Sequence, residues 1–562
     1  MKLARRAALV LWLAAGAACA PVGPREAPAP EPRAPARADS AGVPPGVGAS
    51  TTAPPHPGAA PDSQRAPGSE LRDVAADPRP ALDIPSLPRE FRGLWVATVA
   101  NLDWPSRPGL STAEQQRELL AILDLAQRLR MNTVLLQVRP AADAIYPTVL
   151  APWSDYLTGE MGKPPEPYWD PLAFAVEEAH RRGLELHAWF NPFRARSALA
   201  GRPAAETHVT RARPDLVRRY GRLLWLDPGE VEAQDLAVAA VLDVVRRYDV
   251  DGVVFDDYFY PYPERDARGR VLEFPDDASY AKYTRAGGTL AKDDWRRENI
   301  DRFVERVYRE VKRERPHVKV GISPFGIWRP GEPASVKGMD AYAVLYADSR
   351  RWLQEGWVDW LAPQLYWRGD AAEQGFDALL GWWLAQDTLG RHVWPGLAPN
   401  RIGAEGHDWK ADEVLEQVRH TRALSPRGAS GHVLYSARAL LGNRDGIADR
   451  LEREAYAEPA LPPPMPWLDA EPPGAPMASA RVIGEDGARR IRLDFRPAEG
   501  EEPFVWVVRV WDGKGWTIEL VPGAARTHVL AMGASAPVAV AVSAVDRAGN
   551  EGPAEVVWVE SQ

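Results

Sequence analysis

A single cysteine, Cys19, in 562 residues leaves no disulfide framework and no cysteine-based zinc site. No basic block follows the extreme N-terminus. The 68 Lys+Arg against 77 Asp+Glu give a net charge of −9, so nucleic acid is not an expected partner. Beyond the first residues no apolar run reaches the roughly 20 residues of a membrane helix, so no internal span is expected. No Gly-rich phosphate fingerprint follows the first strand-like segment, which argues against a dinucleotide fold. No Gly-x-Ser-x-Gly elbow offers a nucleophilic serine. The sequence around His187 has neither His-x-His nor a glutamate four residues on, so neither a metal nor another cofactor is expected.

Proline and tryptophan are plentiful, at 54 and 22 residues. At the N-terminus Lys2, Arg5 and Arg6 precede the apolar stretch Ala7 to Ala15 and then Gly16-Ala17-Ala18-Cys19. A basic start, an apolar middle and small residues before a cut describe a bacterial export signal over residues 1–19. Cys19 directly after the small residues resembles a lipobox, although Gly16 stands where leucine is usual. The expectation is a lipid-modified Cys19 and an exported lipoprotein of the bacterial envelope, periplasmic or cell-surface. Residues 20–87 are dominated by Pro, Ala, Gly, Ser and charges, with almost no large apolar side chains to bury. Such a segment reads as a disordered tether.

From Arg89 apolar, near-continuous strands alternate with amphipathic helices. The strands fall at 91–99, 132–139, 184–190, 253–259, 318–323, 359–366, 392–397 and 430–436. Helical patterns follow at 111–130, 171–182, 235–248, 293–314, 349–355, 376–389, 412–424 and 446–456. Eight such pairs over residues 88–458 predict an α/β protein with a (β/α)8 TIM barrel. After a proline-rich joint (Leu461 to Trp467), residues 467–562 show short alternating runs expected of a small all-β sandwich. Its Ser543-Ala544-Val545-Asp546-Arg547-Ala548-Gly549-Asn550 resembles a strand and turn of fibronectin type III domains.

A β/α barrel builds its active site at the C-terminal ends of its strands. Polar and aromatic residues there include Gln137, Arg139 and Asp143 from the second strand, and His187, Trp189, Asn191 and Arg194 from the third. The fourth gives Asp256, Asp257 and Tyr258, the sixth Gln364, Tyr366 and Trp367, the seventh Asn400, and the eighth Tyr435 and Arg438. Sixteen of the 22 tryptophans lie between Trp95 and Trp409. Indole faces suit the C–H faces of a pyranose, and Trp104, Trp189, Trp328, Trp367 and Trp394 are expected to line a sugar groove. Two acids directly after an apolar strand are costly unless they serve chemistry, which makes Asp256 and Asp257 the catalytic candidates. Strand alternation would send them to opposite faces, so a second carboxyl from elsewhere is sought, with Asp143, Asp348, Asp370 and Glu405 in view.

Longer runs now carry a resemblance. They are Arg92-Gly93-Leu94-Trp95-Val96-Ala97-Thr98-Val99, His187-Ala188-Trp189-Phe190-Asn191-Pro192, Asp251-Gly252-Val253-Val254-Phe255-Asp256-Asp257-Tyr258-Phe259-Tyr260-Pro261 and Asp359-Trp360-Leu361-Ala362-Pro363-Gln364-Leu365-Tyr366-Trp367. Together with the second strand they resemble the family 10 glycosylhydrolase-like proteins over residues 88–456. The resemblance implies a barrel glycosidase of the bacterial envelope. It would act on peptidoglycan strands stripped of peptides, cutting between N-acetylmuramic acid and N-acetylglucosamine, with cell-division proteins as candidate partners. The chitinase pattern Asp-Gly-x-Asp-x-Asp-x-Glu is kept only at Asp256, so its roles do not transfer. On this reading Asp256 or Asp257 is the general acid or orients an acetamide, while Asn191, Arg139, Gln364 and Tyr366 position sugar. Three rivals stay open: a non-catalytic glycan-binding lipoprotein, a glycosidase for another polysaccharide, and a metal-dependent hydrolase built on Asp256, Asp257 and His187.

Overall fold

The computed structural model describes residues 82–484, 490–500, 502–531 and 537–559. The export signal, Cys19 and nearly all of the tether lie outside the described residues.

Residues from Ile84 onward form one unit. Its main body is a closed parallel barrel. The strands are Phe91–Val96, Thr133–Arg139, Glu185–Phe190, Gly252–Phe255, Lys319–Ile322, Trp360–Leu361, a seventh in two pieces (His392–Val393 and Gly396–Leu397), and Gly431–Leu434. The two pieces of the seventh strand face different neighbours. His392 and Val393 pair with Trp360 and Leu361, whereas Gly396 and Leu397 pair with Val433 and Leu434. Pro395, which has no N–H to give a ladder, sits at this change of partner. The eighth strand pairs with the first (Phe91 with Gly431), and the ring is complete.

Local chemistry supports two of the early helix starts. Ser111 and Glu114 form a reciprocal capping box ahead of Thr112–Arg128. Asp170 accepts from the amides of Leu172 and Ala173 ahead of Pro171–His180, with proline at the first turn.

The barrel interior is packed with Phe91, Trp95, Leu135, Trp189, Val254, Trp360, Trp394 and Val433, all nearly inaccessible. Phe91 stacks on Trp394 with centroids 3.9 Å apart. Glycines make room for these rings. A Cβ on Gly321 would lie 2.1 Å from Trp360, and one on Gly252 would lie 2.7 Å from His187. Replacing Gly321 with alanine is therefore expected to destabilise the barrel by about 1–3 kcal/mol through overpacking, read as a lowered melting temperature.

Below the rings lies a buried polar floor. Lys319 Nζ donates to Glu185 Oε1 at 2.5 Å, and His187 Nε2 lies 3.0 Å from Glu185 Oε2. The proline-rich joint closes the base. Met465 is buried in the interior cluster, and Trp467 donates its indole N–H to Asp359 at 2.9 Å.

Two features were not legible as such in the sequence. After the third strand, Arg194–Ser197, Val217–Tyr220 and Leu223–Leu226 form a separate antiparallel sheet, with Leu223–Leu226 in the middle. The fourth strand also stops at Phe255, before both acids.

The C-terminal part is a sandwich of a three-stranded and a four-stranded antiparallel sheet. Ile491, Leu493 and Phe495 face Trp506, Val508, Val540 and Val542 across its core. It docks on the N-terminal end of the barrel. Arg547 donates to Asp251 at 2.9 Å, and Arg89 bonds the Gly549 carbonyl at 2.5 Å. The sandwich thus leaves the opposite mouth free.

Candidate active site

The mouth is built around Asp256 and Asp257. Because the strand ends at Phe255, the alternation that would separate two neighbouring side chains no longer applies. Asp256 turns toward the third strand and accepts from Asn191 Nδ2 at 2.5 Å. Asp257 accepts from the Tyr262 hydroxyl and is also hydrogen-bonded by the Gln364 amide. The expectation that the pair splits to opposite faces is thereby corrected: both carboxyls meet groups of the mouth. The other carboxyls in view are engaged or exposed elsewhere. Asp348 caps a helix and accepts from Trp328, Asp370 is exposed and paired with Arg368, and Glu405 lies exposed on the loop after the seventh strand.

Burial disfavours the charged form of each acid. It pushes Asp256 up to about 7, and the neighbouring Asp257 charge adds to this, while Arg194 and the Asn191 bond pull back. Asp257 is raised too, with burial as the cause, and is restrained by Tyr262 and Gln364. Two like charges this close cannot both ionise freely, so the pair holds a proton near neutrality.

A relay of amides fixes the Asn191 donor. Gln137 Oε1 accepts from the amides of Thr98 and Val99 at 2.9 and 2.8 Å. Its Nε2 must then face Asn191 Oδ1, which it meets at 2.6 Å. Asn191 is left with only its N–H side for Asp256. Gln137→Glu keeps the acceptor and removes the donor. We expect it to lower kcat by about 10-fold or more and to shift the falling limb of the pH profile, which Asp256 sets, whereas Gln137→Met loses the anchor altogether. An unchanged profile in Gln137→Glu contradicts the relay.

Arginines brace the rim. Arg139 donates to the Asn191 and Pro192 carbonyls at 2.9 and 3.2 Å. Arg194, carried by the inserted sheet, lies over the Tyr258 ring at 4.1 Å. Around the acids stand half-buried aromatic faces: Tyr258, Tyr262, Phe325, Tyr366 and Trp367, with Tyr435. Phe325 meets Trp367 edge-on with centroids 5.6 Å apart, and Tyr366 faces Tyr435 at 5.9 Å. Asn400 lies on the turn after the seventh strand, its amide donating to the Tyr435 carbonyl at 3.1 Å.

Other expected groove residues sit elsewhere. His187 is fully buried in the interior beside Glu185, below the level of Asn191 on the same strand, so the trio Asp256, Asp257 and His187 is not brought together. Trp189 is 4% exposed and packs edge-on against Trp95, with centroids 4.7 Å apart, as floor rather than wall. Asp143 is wholly buried and accepts from the Ala141 amide at 2.8 Å, which ties its own loop. Trp104 and Trp394 are 0% exposed and Trp328 is 9% exposed, so of the tryptophans expected to line a groove Trp367 is the one at the mouth. Indole is apolar enough to be taken into the core wherever a barrel has room. Among the described residues no group of three or more His, Cys, Asp or Glu is arranged to hold a metal ion.

Tyr262 and Phe325 were not singled out in the sequence. The run Tyr258-Phe259-Tyr260-Pro261-Tyr262 held a usable signal. Once the strand has ended, Tyr258 and Tyr262 face the mouth and Tyr260 packs inward on Phe274 and Tyr346.

Residues 90–410 match the family model described as glycosyl hydrolase-like 10. The chain belongs to this family. A relative from Bacillus subtilis strain 168, glycosyl hydrolase YngK, is 42% identical over 420 residues, covering 73% of this chain and 80% of that protein. Glycosyl hydrolase DigH of Escherichia coli K12 is 38% identical over 375 residues, covering 61% of this chain and 82% of that one. The matched stretch contains every glycosyl hydrolase-like 10 residue discussed at the mouth except Tyr435, which follows the eighth strand. The sandwich lies outside it.

Proposed function

We propose that this chain hydrolyses the glycosidic bond between N-acetylmuramic acid and N-acetylglucosamine in peptide-stripped peptidoglycan strands. The observation that carries the catalytic part is the pair itself: two buried carboxyls in one mouth, with Asp256 pushed up to about 7. Asp256 is the general acid that gives its proton to the leaving glycosidic oxygen. Asp257, held by Tyr262 and Gln364, is the ionised partner that meets positive charge developing at the anomeric carbon. Water supplies the hydroxyl of the new reducing end, and its proton returns to the pair. Tyr258, Tyr262, Phe325 and Trp367 offer flat apolar faces for sugar rings. The choice of glycan comes from the family resemblance of the strand-end motifs.

The protein works, on this reading, as an exported lipoprotein tethered through Cys19. Labelled fatty acid incorporated into the wild type and lost in Cys19→Ala supports that placement; no incorporation overturns it. The test of substrate is incubation of the full chain with intact sacculi and, separately, with amidase-stripped strands, followed by mass spectrometry of soluble fragments. Peptide-free saccharides released from stripped strands by the wild type, and strongly reduced in both Asp256→Asn and Asp257→Asn, are expected. Strands that pellet with the protein but stay uncut would make it a binder, and cleavage of other glycans alone would move the substrate.

A further inference from the structure

We infer that Arg401 is a carboxylate-binding position of the groove, so the ligand taken at this mouth is a sugar bearing a free carboxylate. Arg401 ends the short turn Pro399–Arg401 that directly follows the seventh strand, at the same mouth as the acid pair. It is partly buried, and that burial lowers its pKa, with only Tyr366 acting the other way. Its neighbour Asn400 donates its backbone N–H to the Tyr435 carbonyl at 3.1 Å, and the Tyr435 ring faces Tyr366 with centroids 5.9 Å apart, which sets this turn beside the aromatic wall of the mouth.

What marks Arg401 is the lack of an anion. Among the described residues its guanidinium makes no ion pair and no hydrogen bond, and its contact is the Trp409 ring at 5.9 Å. Three other arginines of the barrel are occupied. Arg139 holds the Asn191 and Pro192 carbonyls, Arg368 pairs with Asp370 and Asp408, and Arg444 bonds the Asn400 carbonyl. The residue is half-buried yet carries no anion, and its planar fork matches a carboxylate. In a groove lined with aromatic faces, a sugar carrying that carboxylate fits both features. The lactyl group of N-acetylmuramic acid, free only when the peptide has been removed, has this chemistry. The identification of that sugar rests on the proposed peptidoglycan reading; the carboxylate site itself does not.

The experiment compares two tetrasaccharides of equal length on the full chain: peptide-free GlcNAc–MurNAc repeats, and chitotetraose, which lacks the lactyl carboxylate. Binding is measured by calorimetry in Asp256→Asn, with and without Arg401→Gln, and cleavage in the wild type and Arg401→Gln. The carboxylated saccharide is expected to bind at least about tenfold more tightly than chitotetraose. Arg401→Gln should erase that preference while leaving chitotetraose affinity unchanged, and Arg401→Lys should keep part of it. A preference that survives Arg401→Gln, an equal loss for both saccharides, or no preference at all overturns the inference. Cleavage of neither saccharide by the wild type counts against the hydrolytic reading alone, because the binding arm still decides Arg401.

Discussion

Asp256→Asn is expected to abolish turnover and, at pH 8, to make the protein more stable. Loss of a general acid costs about 10²–10⁴-fold in rate. The stability gain follows from linkage. The folded-state pKa of Asp256 is raised to about 7 by burial and by the Asp257 charge. The native state therefore binds more protons than the unfolded chain between about pH 4 and pH 7, and stability falls as pH rises through that window. A shift of roughly three units corresponds to about 4 kcal/mol, an upper bound because Asp257 titrates with it. Asparagine keeps the side-chain shape and removes the charge. Melting temperatures of wild type and variant should nearly coincide at pH 4 and diverge at pH 8, the variant higher by several degrees. A variant less stable at both pH values shows that Asp256 is a structural anchor.

Lys319→Met is expected to destabilise the barrel by about 3–5 kcal/mol. Lys319 is 2% exposed, as is Glu185, which it meets at 2.5 Å inside the floor. Burial alone would raise the Glu185 pKa, but the Lys319 charge and the His187 bond outweigh it and hold it below the usual carboxylate range. Removing Lys319 leaves that carboxylate buried with a histidine for company. Adding Glu185→Gln to Lys319→Met should recover much of the loss. Sugar cleavage per folded molecule should be unchanged, since the floor lies beneath the aromatic packing and away from the acids. If the double variant is no better than the single, the cost lies in lost packing of the lysine stem rather than in the stranded charge.

The barrel was legible because its strands are buried on both sides and read as apolar runs between amphipathic helices. The acid pair was legible as a pair, since two carboxyls after Val253-Val254-Phe255 have no packing reason to be there. Their joint orientation was not legible: apolarity runs past the strand end into Tyr258 and Phe259, and only backbone geometry shows the ladder stopping at Phe255. The expectation for tryptophan failed for a related reason. Indole suits a sugar face and a barrel interior equally, and Trp189 and Trp394 join the interior cluster with Trp360, for which Gly321 leaves room. His187 was placed on the right strand but a layer too high, because the buried acid it meets, Glu185, is itself held by Lys319 from a strand 134 positions on. The inserted sheet that carries Arg194 consists of three four-residue strands, too short and too rich in arginine to show a period.

The most direct test of the central claim is the pH dependence of kcat/KM on peptide-stripped strands. The account expects a falling limb centred near pH 7, where Asp256 gives up its proton, and in Asp257→Asn a residual rate whose falling limb moves to lower pH because the neighbouring charge is gone. A profile flat from pH 6 to 9, or full activity in Asp256→Asn, would contradict it.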